Sequence, residues 1–320
     1  MMMDVSLMQR RLWRCSSGNY LAADFCQFGL LMVVFSAANA QELSPRAYWP
    51  APTGTNVVVA GYQGSSGDVL TDPTLPLTGV DSRIETLQLA YQRSFSLVGR
   101  SASVLVSLPY SSGTTTGDIA GEASRRDISD WGDTRVRLAI NLKGAPAVDP
   151  EGFQRLVLAR KPVLGASIQL SMPTGGYETD KLINVGTNRW AVKAELGYIA
   201  PFRSTWAAEF SFGTWFFGDN RDFLGSTREQ EPIVSGEFHL IKTLRSGFWA
   251  SLDVNYYTGG RSTVAGLDLA DLQRNSRLGA TLVFPFQRAH ALKVAFSGGM
   301  TTETGQDFNS LQLIYSYIWR

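Results

Sequence analysis

The chain has 320 residues, of which 44% are hydrophobic and 18% charged, and its mean hydropathy of -0.05 is too low for a bundle of membrane helices. The 29 Lys and Arg balance 28 Asp and Glu, so no basic field points to nucleic acid. The 31 Gly and 13 Pro exclude an all-helical chain and suit many short strands joined by turns.

Arg10, Arg11 and Arg14 precede an apolar run, Phe28–Phe35, which is followed by Ala38-Asn39-Ala40. The run is about half of what a helix needs to cross a bilayer. Small residues three positions and one position before Gln41 complete a secretory signal peptide pattern, with cleavage after residue 40. Both cysteines, Cys15 and Cys26, fall within this segment, so the exported chain has no disulfide and no thiolate metal site. Its basic and acidic residues are equal in number. Residues 41–55 are expected as an N-terminal periplasmic segment and 56–320 as a barrel.

From residue 56 onward the sequence alternates with period two in segments of about ten residues, the length of a tilted strand crossing a bilayer. In 134–143, Thr134, Val136, Leu138, Ile140 and Leu142 face one way and Arg135, Arg137, Asn141 and Lys143 the other. Twelve such segments are centred near residues 60, 90, 105, 138, 168, 194, 210, 238, 253, 281, 294 and 314. Short connections at 98–100, 201–204, 244–247 and 287–290 alternate with long polar ones at 65–82, 111–131, 174–189, 218–230, 258–275 and 301–307. Short periplasmic turns and long extracellular loops are the pattern of an antiparallel, up-and-down outer-membrane β-barrel. The fold class is therefore all-β.

One short-side connection, 144–162, is long. Asp149-Pro150-Glu151 within it reads as a helix start, with Asp149 at the N-cap and Pro150 at the first helical position. It predicts a short periplasmic helix bracing the barrel rim. The last segment places Leu311, Leu313, Tyr315, Tyr317 and Trp319 on one face, ending in interfacial aromatics, with Arg320 beyond them.

Five stretches carry more than periodicity: 46–63, RAYWPAPTGTNVVVAGYQ; 181–198, KLINVGTNRWAVKAELGY; 215–223, WFFGDNRDF; 227–233, TREQEPI; and 276–286, SRLGATLVFPF. Together they resemble the transporter family of the MetA pathway of phenol degradation, over nearly all of the chain beyond residue 40. The resemblance implies an outer-membrane barrel and an association with aromatic compounds. It carries over no catalytic or ligand residues.

Strand parity places Arg135, Arg137, Lys193, Glu195, Glu209, Glu237, His239, Asp253, Arg277 and Lys293 on the lumen side. They read as an ion-pair network bracing the interior, or as a lined path in which Arg and Lys attract an anionic solute such as an aromatic acid. About twelve strands leave a narrow, partly obstructed lumen, and no separate plug domain is expected. The loop from 215 offers Trp215, Phe216, Phe217, Asp219, Arg221, Asp222 and Arg228 for an external constriction, or for an ordered cap over the mouth.

No Gly-rich phosphate loop, HExxH or CxxC motif occurs, so no cofactor, no metal and no catalytic residue is expected. The only histidines are His239 and His290. Ser235, Glu237 and His239 share one strand face at spacings of about 7 Å, too far for a direct relay. The expected role is passive passage of small aromatic or hydrophobic solutes. Outer-membrane lipid and the barrel assembly machinery are the expected partners. A lipid-acting barrel enzyme and a structural or surface-interaction barrel with a closed lumen are the alternatives.

Overall fold

A computed structural model describes residues 43–70, 77–119, 121–245, 247–287 and 289–320. The predicted signal peptide, 1–40, lies outside the described residues. The strands, in chain order, are β1 (Asn56–Leu70), β2 (Leu77–Leu97), β3 (Arg100–Ile119), β4 (Glu122–Trp131) and β5 (Thr134–Lys143). The helix α1 (Pro150–Ala159) follows, then β6 (Val163–Met172), β7 (Ala191–Phe202), β8 (Trp206–Phe217), β9 (Asn220–Phe223) and β10 (Ser226–Gln230). The chain continues through β11 (Ile233–Arg245), β12 (Phe248–Gly259), β13 (Ser262–Val264), β14 (Leu267–Asp268), β15 (Gln273–Phe286), β16 (His290–Thr301) and β17 (Gly305–Trp319).

Strands β4 and β5 pair in succession with the upper and lower parts of β3, so they form one stave interrupted at Gly132-Asp133. Every stave is antiparallel to its neighbours, and β1 closes on β17 from Asn56 opposite Trp319 to Leu70 opposite Gly305. The result is a closed barrel of twelve staves, as the sequence periodicity predicts, above which β4 pairs with β3 alone. Strands β9, β10, β13 and β14 make a separate small sheet from the long connections after β8 and β12.

The alternation of side chains holds around the barrel. Leu87, Leu89, Leu138, Ile168, Leu196, Phe210, Leu252 and Leu311 are exposed on the outer face, while the residues between them are buried inside. This outward apolar belt is the surface that lipid covers in a membrane barrel. Tyr317 stacks on Trp319, and Tyr91 lies tilted against it, at the end of the belt where the chain leaves the barrel, as the interfacial reading of the last strand expects.

Two of the predicted long loops are instead largely strand. Residues 111–119 and 122–131 extend the β3–β4 hairpin, and β1 runs on to Leu70. Their Gly, Ser and Thr residues hide the strand signal, because above the belt neither face needs apolar side chains and backbone pairing alone continues the sheet.

At the opposite rim α1 starts where predicted, with the Asp149 side chain accepting from Gly152 N at 2.7 Å. Phe153 is fully buried under it, and Arg160, in a left-handed conformation, donates to Ser204 O and Trp206 O at 2.8 Å. The helix thus ties its own connection to the β7–β8 turn and lies along the rim.

The segment before β1, expected to lie in the periplasm, runs inside the barrel from residue 43 onward. Thr53 N donates to Val148 O at 2.8 Å at the rim, whereas Ser44, Arg46 and Tyr48 bond to lumen-facing side chains. Tyr48 and Ala51 join Val57, Val59, Ile199, Ile241, Trp249, Val283 and Ile314 in an inward apolar cluster. The physical reason is that the inner wall of this half is apolar or carries buried carboxylates. A chain segment with free backbone donors satisfies both better than water does.

Candidate functional site: the lumen and its outer cavity

The lumen is organised around a belt of charged side chains at mid-height. Glu195 Oε1 lies 3.3 Å from Arg137 Nη2, and its Oε2 lies 2.6 Å from Lys193 Nζ. Lys193 also faces Glu237 at 3.6 Å. His239 continues the chain, with Nε2 at 3.3 Å from Glu237 Oε2 and Nδ1 at 2.8 Å from Asp253 Oδ1, and Thr281 donates to Asp253 Oδ2 at 2.9 Å. Buried charges persist only when paired, and each charged member of this belt faces a partner of opposite sign or a histidine ring nitrogen.

Three of its glutamates hold the segment before β1. Ser44 N donates to Glu237 on β11 at 3.1 Å, Arg46 N to Glu209 on β8 at 2.6 Å, and the Tyr48 hydroxyl to Glu195 on β7 at 2.7 Å. Alternate residues of the segment thus meet successive strands of the wall. The Arg46 guanidinium sits 4.5 Å from the ring centroids of both Trp49 and Trp249 and donates to Thr243 Oγ1 at 3.1 Å.

The Tyr48 ring occupies a slot made by Gly165 and Gly197, which are register partners on the inner face of β6 and β7. A Cβ at either would lie 2.2 Å from a Tyr48 ring atom, so only glycine allows this approach. The apolar cluster and the segment narrow the periplasmic half of the lumen, leaving a small cleft beside Tyr48.

Above the belt the lumen widens into a cavity of about 350 Å³ that reaches the external loops. Its floor includes Leu43, Asp253 and Thr281, and its upper wall includes Tyr177, Thr187, Arg189, Asn220, Phe223 and Arg228. The loop wall is held by hydrogen bonds. Asn220 donates to the Tyr177 hydroxyl at 2.7 Å and accepts from Asn188 at 3.0 Å. Asp133 accepts from Gly175 N and Thr187 N, each at 3.0 Å, and from Thr187 Oγ1 at 2.6 Å.

All ten residues assigned to the lumen by parity face inward. Arg135, Lys193, Glu195, Glu209, Glu237, His239, Asp253, Arg277 and Lys293 are buried and Arg137 is half-buried. Only Asp253 and Arg277 line the outer cavity, and Arg137 lines a smaller cleft beside Tyr48.

The seven loop residues divide differently. Trp215 is buried inside and stacks on Phe217, Phe216 is exposed on the outer face, and Asp219, Arg221 and Asp222 are exposed. Of the seven, Arg228 alone lines the cavity. The cavity instead draws Tyr177, Thr187 and Arg189 from the connection between β6 and β7. A loop without periodicity gives no facing: Thr187 and Arg189 fall within the stretch 181–198 that carries the family resemblance, which marks the region and not the facing, and Tyr177 has no signal beyond its polarity.

The serine, glutamate and histidine of β11 form no relay. Both ring nitrogens of His239 face carboxylates, leaving neither for Ser235. Among the described residues no group of acidic, histidine or cysteine side chains is placed to hold a metal ion.

Among solved structures, the COG4313 outer membrane channel from Pseudomonas putida F1 superposes with a TM-score of 0.74 at 22% identity, over 87% of this chain and 100% of that one. The transport unit of the autotransporter AIDA-I from Escherichia coli superposes with a TM-score of 0.50 at 9% identity, over 95% and 99% of the two chains. Both likenesses are of the barrel fold. No curated protein matches the sequence. A family profile covers residues 52–316, nearly the whole barrel, and the chain belongs to the family described as "Putative MetA-pathway of phenol degradation".

Proposed function

We propose that this protein is an outer-membrane channel for the passive passage of small aromatic or hydrophobic solutes, exported through a signal peptide cleaved after residue 40. The observation that carries the reading is the outer cavity of about 350 Å³, open toward the loops and floored by the internal segment. A twelve-strand barrel is too narrow for bulk aqueous flow once a chain segment lies within it. The cavity is of the size that holds one small molecule. Membership of a family tied by description to phenol degradation, and likeness to a channel, support the same direction. Lipid around the outward belt and the barrel assembly machinery are the partners such a protein needs.

The paired state of His239 disfavours a lipid hydrolase, and the cavity disfavours a purely structural barrel. Flux into proteoliposomes tests the proposal. A single-ring aromatic alcohol should enter faster than a sugar of similar mass. Equal entry of both would indicate a general pore, and entry of neither would refute a transport role.

A further inference from the structure

The charged side chains lining the outer cavity are three arginines, Arg189, Arg228 and Arg277, against one aspartate, Asp253. The aspartate is already held by His239 and Thr281. Arg189 and Arg228 come from different connections, yet both converge on the cavity and each stacks on an aromatic ring. Arg189 lies 4.6 Å from the Phe217 centroid and Arg228 lies 5.3 Å from that of Phe223.

Neither of these two guanidiniums has a carboxylate within ion-pair distance among the described residues. Of the nearby acids, Asp133 accepts from Gly175 and Thr187, Asp271 accepts from Ser262 N at 2.7 Å, and Asp219 is exposed to solvent. Arg189 Nη2 donates to the neutral Gln230 side chain, and its buried Nη1 has no partner. Among the described residues Arg228 donates to Ser262 Oγ, at 3.0 and 3.3 Å. Burial, and then repulsion from Arg228, hold Arg189 down at about 10, so it is still charged at neutral pH.

Two like charges kept together in a largely desolvated site, with a donor still unused, form a receptor for an anion. The same cavity is lined by apolar side chains, Leu43 in its floor and Ile84, Ile128 and Phe308 elsewhere, interleaved with neutral Ser, Thr and Gln. A compact inorganic anion would leave that apolar surface wet, whereas a monocarboxylate with a single-ring body would cover it.

We propose that the outer cavity is a capture site for aromatic monocarboxylates, with the carboxylate held by Arg189 and Arg228 and the ring against apolar side chains of the lining such as Ile84, Ile128 and Phe308. It rests on the transport reading above and names a substrate class for it. It also moves anion recognition away from Arg137 and Lys193, which already face Glu195 and Glu237.

The test is calorimetric titration of the refolded barrel with benzoate, with neutral benzamide and with acetate. Benzoate should bind at least about tenfold more tightly than either, because loss of a charge-assisted hydrogen bond or of the ring contact is worth that much. Arg189→Gln and Arg228→Gln, each checked for folding by the gel shift of the unheated barrel, should each weaken benzoate by about tenfold and leave benzamide unchanged. Equal binding of benzoate and benzamide, or of benzoate and acetate, would overturn the proposal, as would unaltered benzoate affinity in both folded variants. Benzoate binding without aromatic flux would sink transport and leave the site standing. Flux without benzoate preference would do the reverse.

Discussion

Tyr48 shows how single residues narrow the lumen. Its ring needs the absence of side chains at Gly165 and Gly197, and its hydroxyl needs Glu195 and Ser167, at 2.7 and 2.9 Å. Gly197→Ala should therefore expel the ring at a cost of about 1–3 kcal/mol, the usual penalty of overpacking. Amide exchange at Ser44 and Arg46, which donate to buried glutamates, should accelerate by about tenfold or more. Unchanged exchange would mean that the segment is held without Tyr48. The ten inward charges were legible in the sequence because strand parity fixes facing. The partner of three of them was not. Glu195, Glu209 and Glu237 are separated from Tyr48, Arg46 and Ser44 by 147, 163 and 193 residues, and no local pattern encodes such a meeting.

At the scale of elements, local chemistry was most readable where one residue does one job. The Asp149-Pro150 pair marks the start of α1 because an N-cap acceptor and a residue lacking N–H suit the first turn. Asp149→Ala should cost about 1 kcal/mol, seen as faster amide exchange through the first turn of α1 while the barrel strands keep their protection. Loss of protection throughout the barrel would instead make the helix part of the folding core. The hairpin of β3 and β4 was unreadable for the opposite reason. Its residues stand clear of the lipid belt, where a strand has no apolar face to declare. The small sheet of β9, β10, β13 and β14 was hidden likewise, since its strands are short and drawn from two connections.

The whole molecule is a barrel divided by height: an apolar cluster and a chain segment in the periplasmic half, a paired belt of charge at the middle, and a cationic cavity toward the loops. Barrel closure and strand number followed from twelve alternating segments, whereas the division of the lumen depends on contacts between distant parts of the chain. The central claim is that this division makes a narrow channel whose width is set by residues 43–55. Single-channel conductance in a planar bilayer tests it most directly, comparing the refolded barrel with a double variant, Arg46→Ala and Tyr48→Ala, that releases the segment from Trp249 and from the glycine slot. Small discrete steps in the parent and clearly larger ones in the variant are the expected result. Folded barrels that both pass no current, or identical steps in the two, would contradict it.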